Sequence, residues 1–417
     1  MLSSRVFAIH VRPAPGASRL LAVAVTACLA VPTWAAEPGT SLTADALRAI
    51  PQTAEPEPGF RPYASANVGY DSNVFRLDDN APEIGDRDDQ SLTFAVGIDG
   101  HVQSGQQRFD VGGEINHSVY NNHSDLDYTG GKIDAVWHFI AADAATGDLR
   151  YRFSRTLRDF ANQNRLDKVI DLRNENSVVG NGDLNLPGPF RLNLRAGVTD
   201  LTYSETDTLD VRRYTAGTAL KYVSASNNIV GFDAGFIHGD YRNNSNANFD
   251  EYSVGPMFEW QASARVKVDG KVAYTKRDND SELRKDYDGI TAYADMTVGE
   301  GETTTMTASV YRDLSNLADE SAEYAVVDGI RVAPTWTWKE GLIDLRLLAG
   351  YENRNFKVTE DFLDRKDEVV MAGLFLDWNP RRSITVTLGL DGEQRSSSRV
   401  LQDYDFLRVQ LGVVGRL

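Results

Sequence analysis

Residues 190–198, with the sequence FRLNLRAGV, alternate apolar side chains with polar ones. Successive side chains of a β-strand point to opposite faces of a sheet, so this pattern predicts a strand with one apolar and one polar face. The alternation recurs in five further stretches, which are residues 92–98, 214–222, 266–274, 384–390 and 407–413. The chain is therefore predicted to be built mainly from two-faced strands.

These strands recur with a period of about 40 residues. Turns rich in Gly, Pro, Asn or Ser fall near residues 105, 144, 188, 226, 262, 300, 340 and 380, and a longer polar loop separates successive turns. Each repeat thus reads strand, long loop, strand, short turn. Nine repeats fit between Pro62 and Leu417, which predicts an all-β fold of about 18 antiparallel strands, or 16 if two weak strands are loops.

Strand length and aromatic residues separate a soluble fold from a membrane fold. The predicted strands have about 10 to 14 residues, enough to cross a bilayer when tilted, whereas a propeller repeat would hold four short strands. Five tryptophans lie near the short turns (Trp137, Trp260, Trp336, Trp338 and Trp378), and most tyrosines lie beside the long loops. Because such rings prefer the headgroup layer, the sequence predicts a transmembrane antiparallel β-barrel of the outer-membrane type with two aromatic girdles.

Composition excludes several other classes. Hydrophobic residues make up 41% of the chain and mean hydropathy is -0.37, and the apolar run at residues 20–31 is shorter than the roughly 20 residues of a membrane helix. A formal net charge of -17 argues against nucleic acid as a partner. The sequence contains no zinc-ligand spacing and no phosphate-binding loop, so we expect no metal and no cofactor.

The first 61 residues are predicted to precede the barrel. Arginines before the apolar run and small residues after it predict a secretory signal peptide over residues 1–35, cut after Ala35, although residues 25–28 also fit a lipoprotein box ending at Cys28. Residues 36–61 are rich in Pro and Glu and are predicted to form a periplasmic linker or a small plug. Residues 62–417 would form the barrel. Its destination is the outer membrane of a Gram-negative cell, with lipopolysaccharide and the barrel assembly machinery as partners.

If the apolar rows face lipid, the alternate rows face the lumen. Twelve basic residues follow this rule: Arg150, Arg152, Arg158, Arg191, Arg195, Arg213, Lys221, Arg265, Lys267, Lys271, Arg346 and Arg408. They form either a path for anionic sugars and small anions or a salt-bridge network with inward acids. The candidate acids are Asp99, Asp110, Glu114, Asp134, Asp269, Asp344 and Glu352. Further acids crowd the first long loop, residues 78–89, where they solvate the loop or bind divalent cations.

Two prolines fit the strand pattern less well. Pro256 and Pro334 fall inside predicted strands, where each removes a ladder hydrogen bond, so a bulge or a strand end is expected at each.

The first predicted strand runs into the sequence Gly69-Tyr70-Asp71-Ser72-Asn73-Val74-Phe75-Arg76. This segment resembles the opening of the β-barrel porin 2 family, whose members read glycine, aromatic, Asp, any residue, Asn, apolar, aromatic, Arg. Residues 107–109, 126–131, 158–162 and 172–174 resemble the branch encoded with exopolysaccharide biosynthesis genes. The resemblance implies a non-enzymatic outer-membrane protein that takes part in exopolysaccharide export, with polysaccharide export proteins and anionic polysaccharide as partners. A structural alternative is that Asp71 and Asn73 cap and turn the backbone.

Two other functions stay open at this point. A general diffusion porin for small solutes needs only the barrel and a polar lumen. An outer-membrane barrel hydrolase needs a nucleophile within reach of a base, and the adjacent pairs His117-Ser118 and His123-Ser124 point to opposite faces of a strand. The hydrolase is therefore the least favoured of the three.

Overall fold

The computed structural model describes residues 59–81, 86–141, 144–163, 170–282, 284–299, 303–315, 324–339, 341–357 and 364–417. The predicted signal peptide and lipoprotein box, and residues 36–58 of the linker segment, lie outside the described residues. In the described part the chain forms eighteen strands and four short 3-10 helices, and none of these helices is long and apolar enough to cross a membrane.

The strands are long and similar in length. Their bounds are β1 Gly59–Asp71, β2 Asp89–Ser104, β3 Gln107–Tyr120, β4 Tyr128–Ala141, β5 Ala145–Leu157, β6 Leu172–Asn185, β7 Phe190–Tyr203, β8 Val211–Val223, β9 Ile229–Tyr241, β10 Phe249–Ser263, β11 Val266–Asn279, β12 Tyr287–Val298, β13 Thr304–Ser315, β14 Tyr324–Trp338, β15 Ile343–Lys357, β16 Arg365–Arg381, β17 Ile384–Ser397 and β18 Tyr404–Arg416. The first strand begins inside the segment predicted as linker.

The sheet is closed. Each strand pairs antiparallel with its neighbours in sequence, and β1 also pairs with β18, from Tyr63 opposite Arg416 to Asp71 opposite Arg408. The backbone N–H of Leu417 donates to the carbonyl of Pro62 at 2.9 Å, beyond the last ladder pair. Closure satisfies the backbone groups that an edge strand would leave open in lipid. The prediction of an 18-stranded antiparallel barrel is confirmed.

The two faces of the sheet differ in chemistry. One face carries exposed apolar side chains, such as Phe94, Val96 and Ile98 on β2. The other face carries charged side chains, and some of these form ion pairs across a skipped strand, as Arg195 of β7 does with Asp233 of β9. Strands two apart are separated by roughly 9 to 10 Å, so such pairs form only where side chains converge on the concave side. The charged face is therefore the inner wall, and the apolar face is the outer, lipid-facing wall.

The tryptophans lie where the sequence placed them. All five occupy outward rows at the strand ends next to the short turns, which is the periplasmic side of an outer-membrane barrel. The tyrosines divide into two groups. Tyr70, Tyr214, Tyr252, Tyr274 and Tyr351 are exposed on outward rows near the long loops, whereas Tyr203, Tyr311 and Tyr404 are buried on inward rows. The tyrosine girdle is thus incomplete, because several phenol groups instead pack against the charged inner wall.

Both prolines lie inside strands without a bulge. The β10–β11 ladder passes from Val254–Tyr274 to Met257–Lys271 across Pro256 with the register unchanged. Pro334 likewise interrupts the β14–β15 ladder between Val332 and Thr335 without a shift. The expectation of a bulge or strand end at these positions is wrong, because each proline keeps its partner on the other neighbouring strand and the two missing ladder pairs at each site leave the sheet continuous.

Candidate functional site

Two carboxylates on the inner wall each serve two of the predicted basic residues. Asp233 on β9 lies 2.5 Å from Nη2 of Arg195 on β7 and also contacts Nζ of Lys271 on β11. Asp134 on β4 accepts from Nε of Arg150 and from Nε of Arg152 on β5, both at 3.2 Å. Because one negative charge faces two positive charges in each group, each leaves a surplus of positive charge on the wall.

Four more of the predicted basic residues form single ion pairs. They are Lys221 with Asp183 at 3.2 Å, Lys267 with Glu259 at 3.7 Å, Arg346 with Asp377 at 2.8 Å and Arg408 with Asp391 at 2.8 Å. These pairs are locally neutral. In this part of the wall the basic residues form salt bridges with acids, as the second of the two alternatives predicted.

Arg191 and Arg213 also lie on inward rows, but neither has a carboxylate partner among the described residues. Nε of Arg213 is buried and has no hydrogen-bond partner there. Arg191 lies near the periplasmic end of β7, and Arg213 lies near the opposite end of β8. We use the name basic strip for the six inward cations of β5, β7 and β8: Arg150, Arg152, Arg191, Arg195, Arg213 and Lys221.

Two of the twelve predicted basic residues lie outside the strands. Arg158 follows the end of β5 and is buried, with Nη1 3.1 Å from Asp171 and 3.2 Å from the hydroxyl of Thr206. Arg265 is exposed in the turn between β10, which ends at Ser263, and β11, which begins at Val266. Neither belongs to an inward strand row.

The predicted inward acids are placed on the inner wall, but most serve other partners. Glu114 accepts from the hydroxyl of Tyr63 at 2.8 Å, and Glu352 lies between Arg331 and Arg354. Asp110 accepts from Nε of Arg108. Asp344 lies 3.4 Å from the amide of Asn379, Asp269 stands opposite Asp295, and Asp99 stands opposite Gly112. Of the seven, Asp134 alone meets a predicted basic residue within the described structure.

Sequence reasoning missed the carboxylates that carry most of the pairs: Asp183, Asp233, Asp377 and Asp391. A signal for two of them was present. Asp233 is 38 residues from both Arg195 and Lys271, and Asp183 is 38 residues from Lys221. This separation equals one repeat, so inward residues one repeat apart meet across a skipped strand.

The family-like segment folds back on itself after β1. Both oxygens of Asp71 accept from the guanidinium of Arg76 at 2.9 Å, and the backbone N–H of Asn73 also donates to Asp71. The side-chain amide of Asn73 donates to the carbonyls of Leu77 and Asp405. Burial alone would lower the pKa of Arg76, but the charges of Asp71 and Asp159 raise it above its ordinary value. The structural alternative therefore describes these residues well.

The other motif residues position the segment. A side chain at Gly69 would meet Oγ of Ser91 at 3.1 Å, and Tyr70 points outward. Phe75 is buried and packs edge-on against Phe160 of the loop after β5, with 5.1 Å between ring centroids.

The loop after β5 also reaches a distant part of the inner wall. Nη1 of Arg395 on β17 donates to the carbonyl of Ala161 at 2.8 Å. Six strand steps separate β17 from β5 around the sheet, so this loop extends inward across the mouth of the barrel on the side of the long loops.

The histidines contact side chains and backbone groups other than the serines next to them in the sequence. Nδ1 of His117 lies 3.0 Å from the hydroxyl of Thr129, and Nε2 of His123 contacts the carbonyl of Asp86. His101 and His138 both lie beside Asp110, and His238 pairs with Asp250. In the described structure neither adjacent His-Ser pair forms a hydrogen bond between its side chains.

Comparison with known proteins identifies similar barrels. No protein-family model and no curated protein matches the chain. A BenF-like porin from Pseudomonas fluorescens Pf-5 superposes with a TM-score of 0.50 at 9% identity over 86% of this chain and 99% of that one. The outer membrane protein OpdK of Pseudomonas aeruginosa gives 0.49 at 12% identity, with 86% and 99% covered. OccAB3 of Acinetobacter baumannii gives 0.48 at 8% identity, with the same coverage. At 9% identity the likeness to the BenF-like porin is one of fold alone, that of a closed β-barrel, and the resemblance to the exopolysaccharide branch is not confirmed.

Proposed function

We propose that the protein is an outer-membrane diffusion channel for small solutes, with a preference for anions. The observation that carries this proposal is the basic strip on the inner wall of a closed eighteen-stranded barrel. Barrels of 16 to 18 strands enclose an aqueous channel. A wall of charged side chains suits water, since such groups would be costly against an apolar filling.

The strip suits weak, repeated contacts with anions. Arg195 shares Asp233 with Lys271, so part of its hydrogen-bonding capacity is available to a passing carboxylate or phosphate. Arg213 and Arg191 extend the positive wall towards its two ends. A channel must bind strongly enough to admit an ion and weakly enough to release it, and partly neutralised arginines meet both needs.

Reconstitution in planar bilayers tests the proposal directly. With a gradient of potassium chloride across the bilayer, the reversal potential should show that chloride permeates better than potassium. Liposomes containing the protein should take up a small carboxylate faster than a neutral sugar of equal size. Absence of conductance, or a preference for potassium, would contradict the proposal.

Exopolysaccharide export, as conduit or accessory, is the competing proposal, and it has the sequence resemblance as its support. The motif residues that carry this resemblance are engaged in local contacts, since Asp71 and Asn73 bond Arg76 and nearby backbone groups. Deletion of the gene separates the two proposals. Slower uptake of small anions with unchanged surface polymer favours the channel, whereas loss of polymer with unchanged uptake favours export.

A further inference from the structure

The outer wall carries an aromatic row at the periplasmic ends of β14, β15 and β16. Trp338 stands opposite Ile343, and Ile343 stands opposite Trp378, so the three side chains share one face and one height. Trp338 and Trp378 are 47% and 48% exposed. Trp336 lies one outward position further into the wall. Indole rings at this height mark the boundary between hydrocarbon and headgroups.

A bulge places a cation on the same face. The β16–β17 ladder passes from Trp378 opposite Val386 to Arg381 opposite Ile384, so three steps on β16 match two steps on β17. Without the extra residue Arg381 would follow the inward row. The bulge instead turns it to the outward face that Trp378 occupies, just beyond the aromatic row.

The neighbouring turn is tied to this bulge. The backbone N–H of Asn379 donates to the carbonyl of Leu342, and its side-chain amide donates to the carbonyl of Gly341, both at 2.8 Å. These bonds fix the turn between β14 and β15, which begins with Lys339 in the left-handed region at φ 50°. Lys339 therefore lies close to the end of β16 that carries Arg381.

Three cations collect at this place. Lys339, Arg381 and Arg382 are exposed, and none has a carboxylate partner in the part of the chain that the structure describes. The local charge is positive even when Glu340, the next residue in sequence after Lys339, is counted.

We propose that this surface binds the headgroup of an anionic phospholipid in the periplasmic leaflet of the membrane. Arginine and lysine donate to the phosphodiester oxygens, while the acyl chains lie along the tryptophans and Ile343. An acidic protein partner fits less well, because Arg381 shares its face with the lipid-exposed indoles. Basic side chains next to a membrane surface bind anionic headgroups in this way. The site lies outside the lumen and does not depend on the proposed channel.

Quenching of tryptophan fluorescence by brominated lipids tests the site. A variant with Trp137→Phe and Trp260→Phe keeps Trp336, Trp338 and Trp378 as reporters. It is reconstituted in phosphatidylcholine bilayers that contain a fixed fraction of either brominated phosphatidylglycerol or brominated phosphatidylcholine. We expect brominated phosphatidylglycerol to bind about fivefold better than brominated phosphatidylcholine at low salt. This preference should shrink in 1 M sodium chloride.

Two triple variants of the reporter protein locate the effect. Lys339→Gln with Arg381→Gln and Arg382→Gln should remove the preference. The matched control, Arg155→Gln with Lys276→Gln and Lys366→Gln, changes the net charge equally at outward positions near the long loops and should keep it. Heat-modifiable gel migration verifies that both variants are folded. Equal quenching by the two lipids, a preference that survives the first triple variant, or its loss in the control would overturn the proposal.

Discussion

Asp233 of β9 accepts a hydrogen bond from Arg195 of β7 at 2.5 Å, although β8 lies between the two strands. The contact is possible because the barrel wall is concave and long side chains converge across a skipped strand. Lys271, two strands away on the other side, reaches the same carboxylate. The charge of the inner wall is thus set by groups of side chains spaced by one repeat.

Replacing Asp233 by Asn should increase anion preference. The change frees Arg195 and Lys271 and adds one positive charge to the wall. A unit charge about 10 Å from a passing ion in water contributes about 0.4 kcal/mol, with opposite sign for chloride and potassium, so the chloride-to-potassium permeability ratio should rise about fourfold. Since Arg195 is 39% exposed, the stability cost should be about 1 kcal/mol. Reversal potentials measure the ratio.

The control for this variant is Asp328→Asn. Asp328 pairs with Arg312 at 3.1 Å on the outer wall, so the same change of charge should leave the permeability ratio unaltered. An equal rise in both variants would show that the effect is one of overall charge, not of the inner wall.

Replacing Arg213 by Gln should reduce anion preference. This arginine has no carboxylate partner among the described residues, so its charge is not offset locally. The permeability ratio should fall about fourfold, by the same charge arithmetic. Stability should change by less than about 0.5 kcal/mol, because no ion pair is broken. Arg312→Gln on the outer wall serves as the matched control. A ratio that stays constant in Arg213→Gln would remove β8 from the permeation path.

The strand count and the tryptophan positions could be predicted because both depend on short-range patterns. A period of two places side chains on faces, and the turn spacing counts hairpins. The carboxylate partners of the basic strip were not predicted. Alternation tells whether a side chain faces the lumen, but it does not tell the position of that side chain along the barrel axis. The separation of 38 residues between Asp233 and Arg195, which is one repeat, indicates that the two side chains lie at the same position along the axis. Tyr203, Tyr311 and Tyr404 differ from the prediction because inward or outward placement at a strand end depends on tertiary packing.

Acid should weaken a loop contact made by Asp364. Partial burial acts to raise the pKa of Asp364, but hydrogen bonds from Lys357 and Lys285 outweigh it and lower the pKa. A carboxylate with a lowered pKa contributes stability above its ordinary pKa of about 3.9, and that contribution is lost as pH falls through the lowered value. The difference in melting temperature between wild type and Asp364→Asn should therefore decrease as the pH falls from roughly 5 to roughly 2, and should be absent at the lower value.

Heat-modifiable migration at each pH measures this difference. Glu282→Gln removes an exposed acid of the loop after β11 and should follow the wild type throughout. A gap between wild type and Asp364→Asn that stays constant with pH would contradict the assigned contact.

Replacing Arg76 by Ala should destabilise the barrel near its closing strands. The guanidinium binds both oxygens of Asp71 and lies 3.6 Å from the ring centroid of Phe406 on β18, so its loss leaves a largely buried carboxylate unpaired. Breaking such a pair costs about 3 kcal/mol, and Arg76→Lys should recover part of it because a lysine keeps the charge without the planar fork. Arg87→Ala, which breaks a pair with the exposed Asp79 in the same loop, should cost less than about 0.5 kcal/mol. Urea titration followed by gel migration ranks the three variants, and equal stability of Arg76→Ala and Arg87→Ala would show that the segment after β1 contributes nothing to closure.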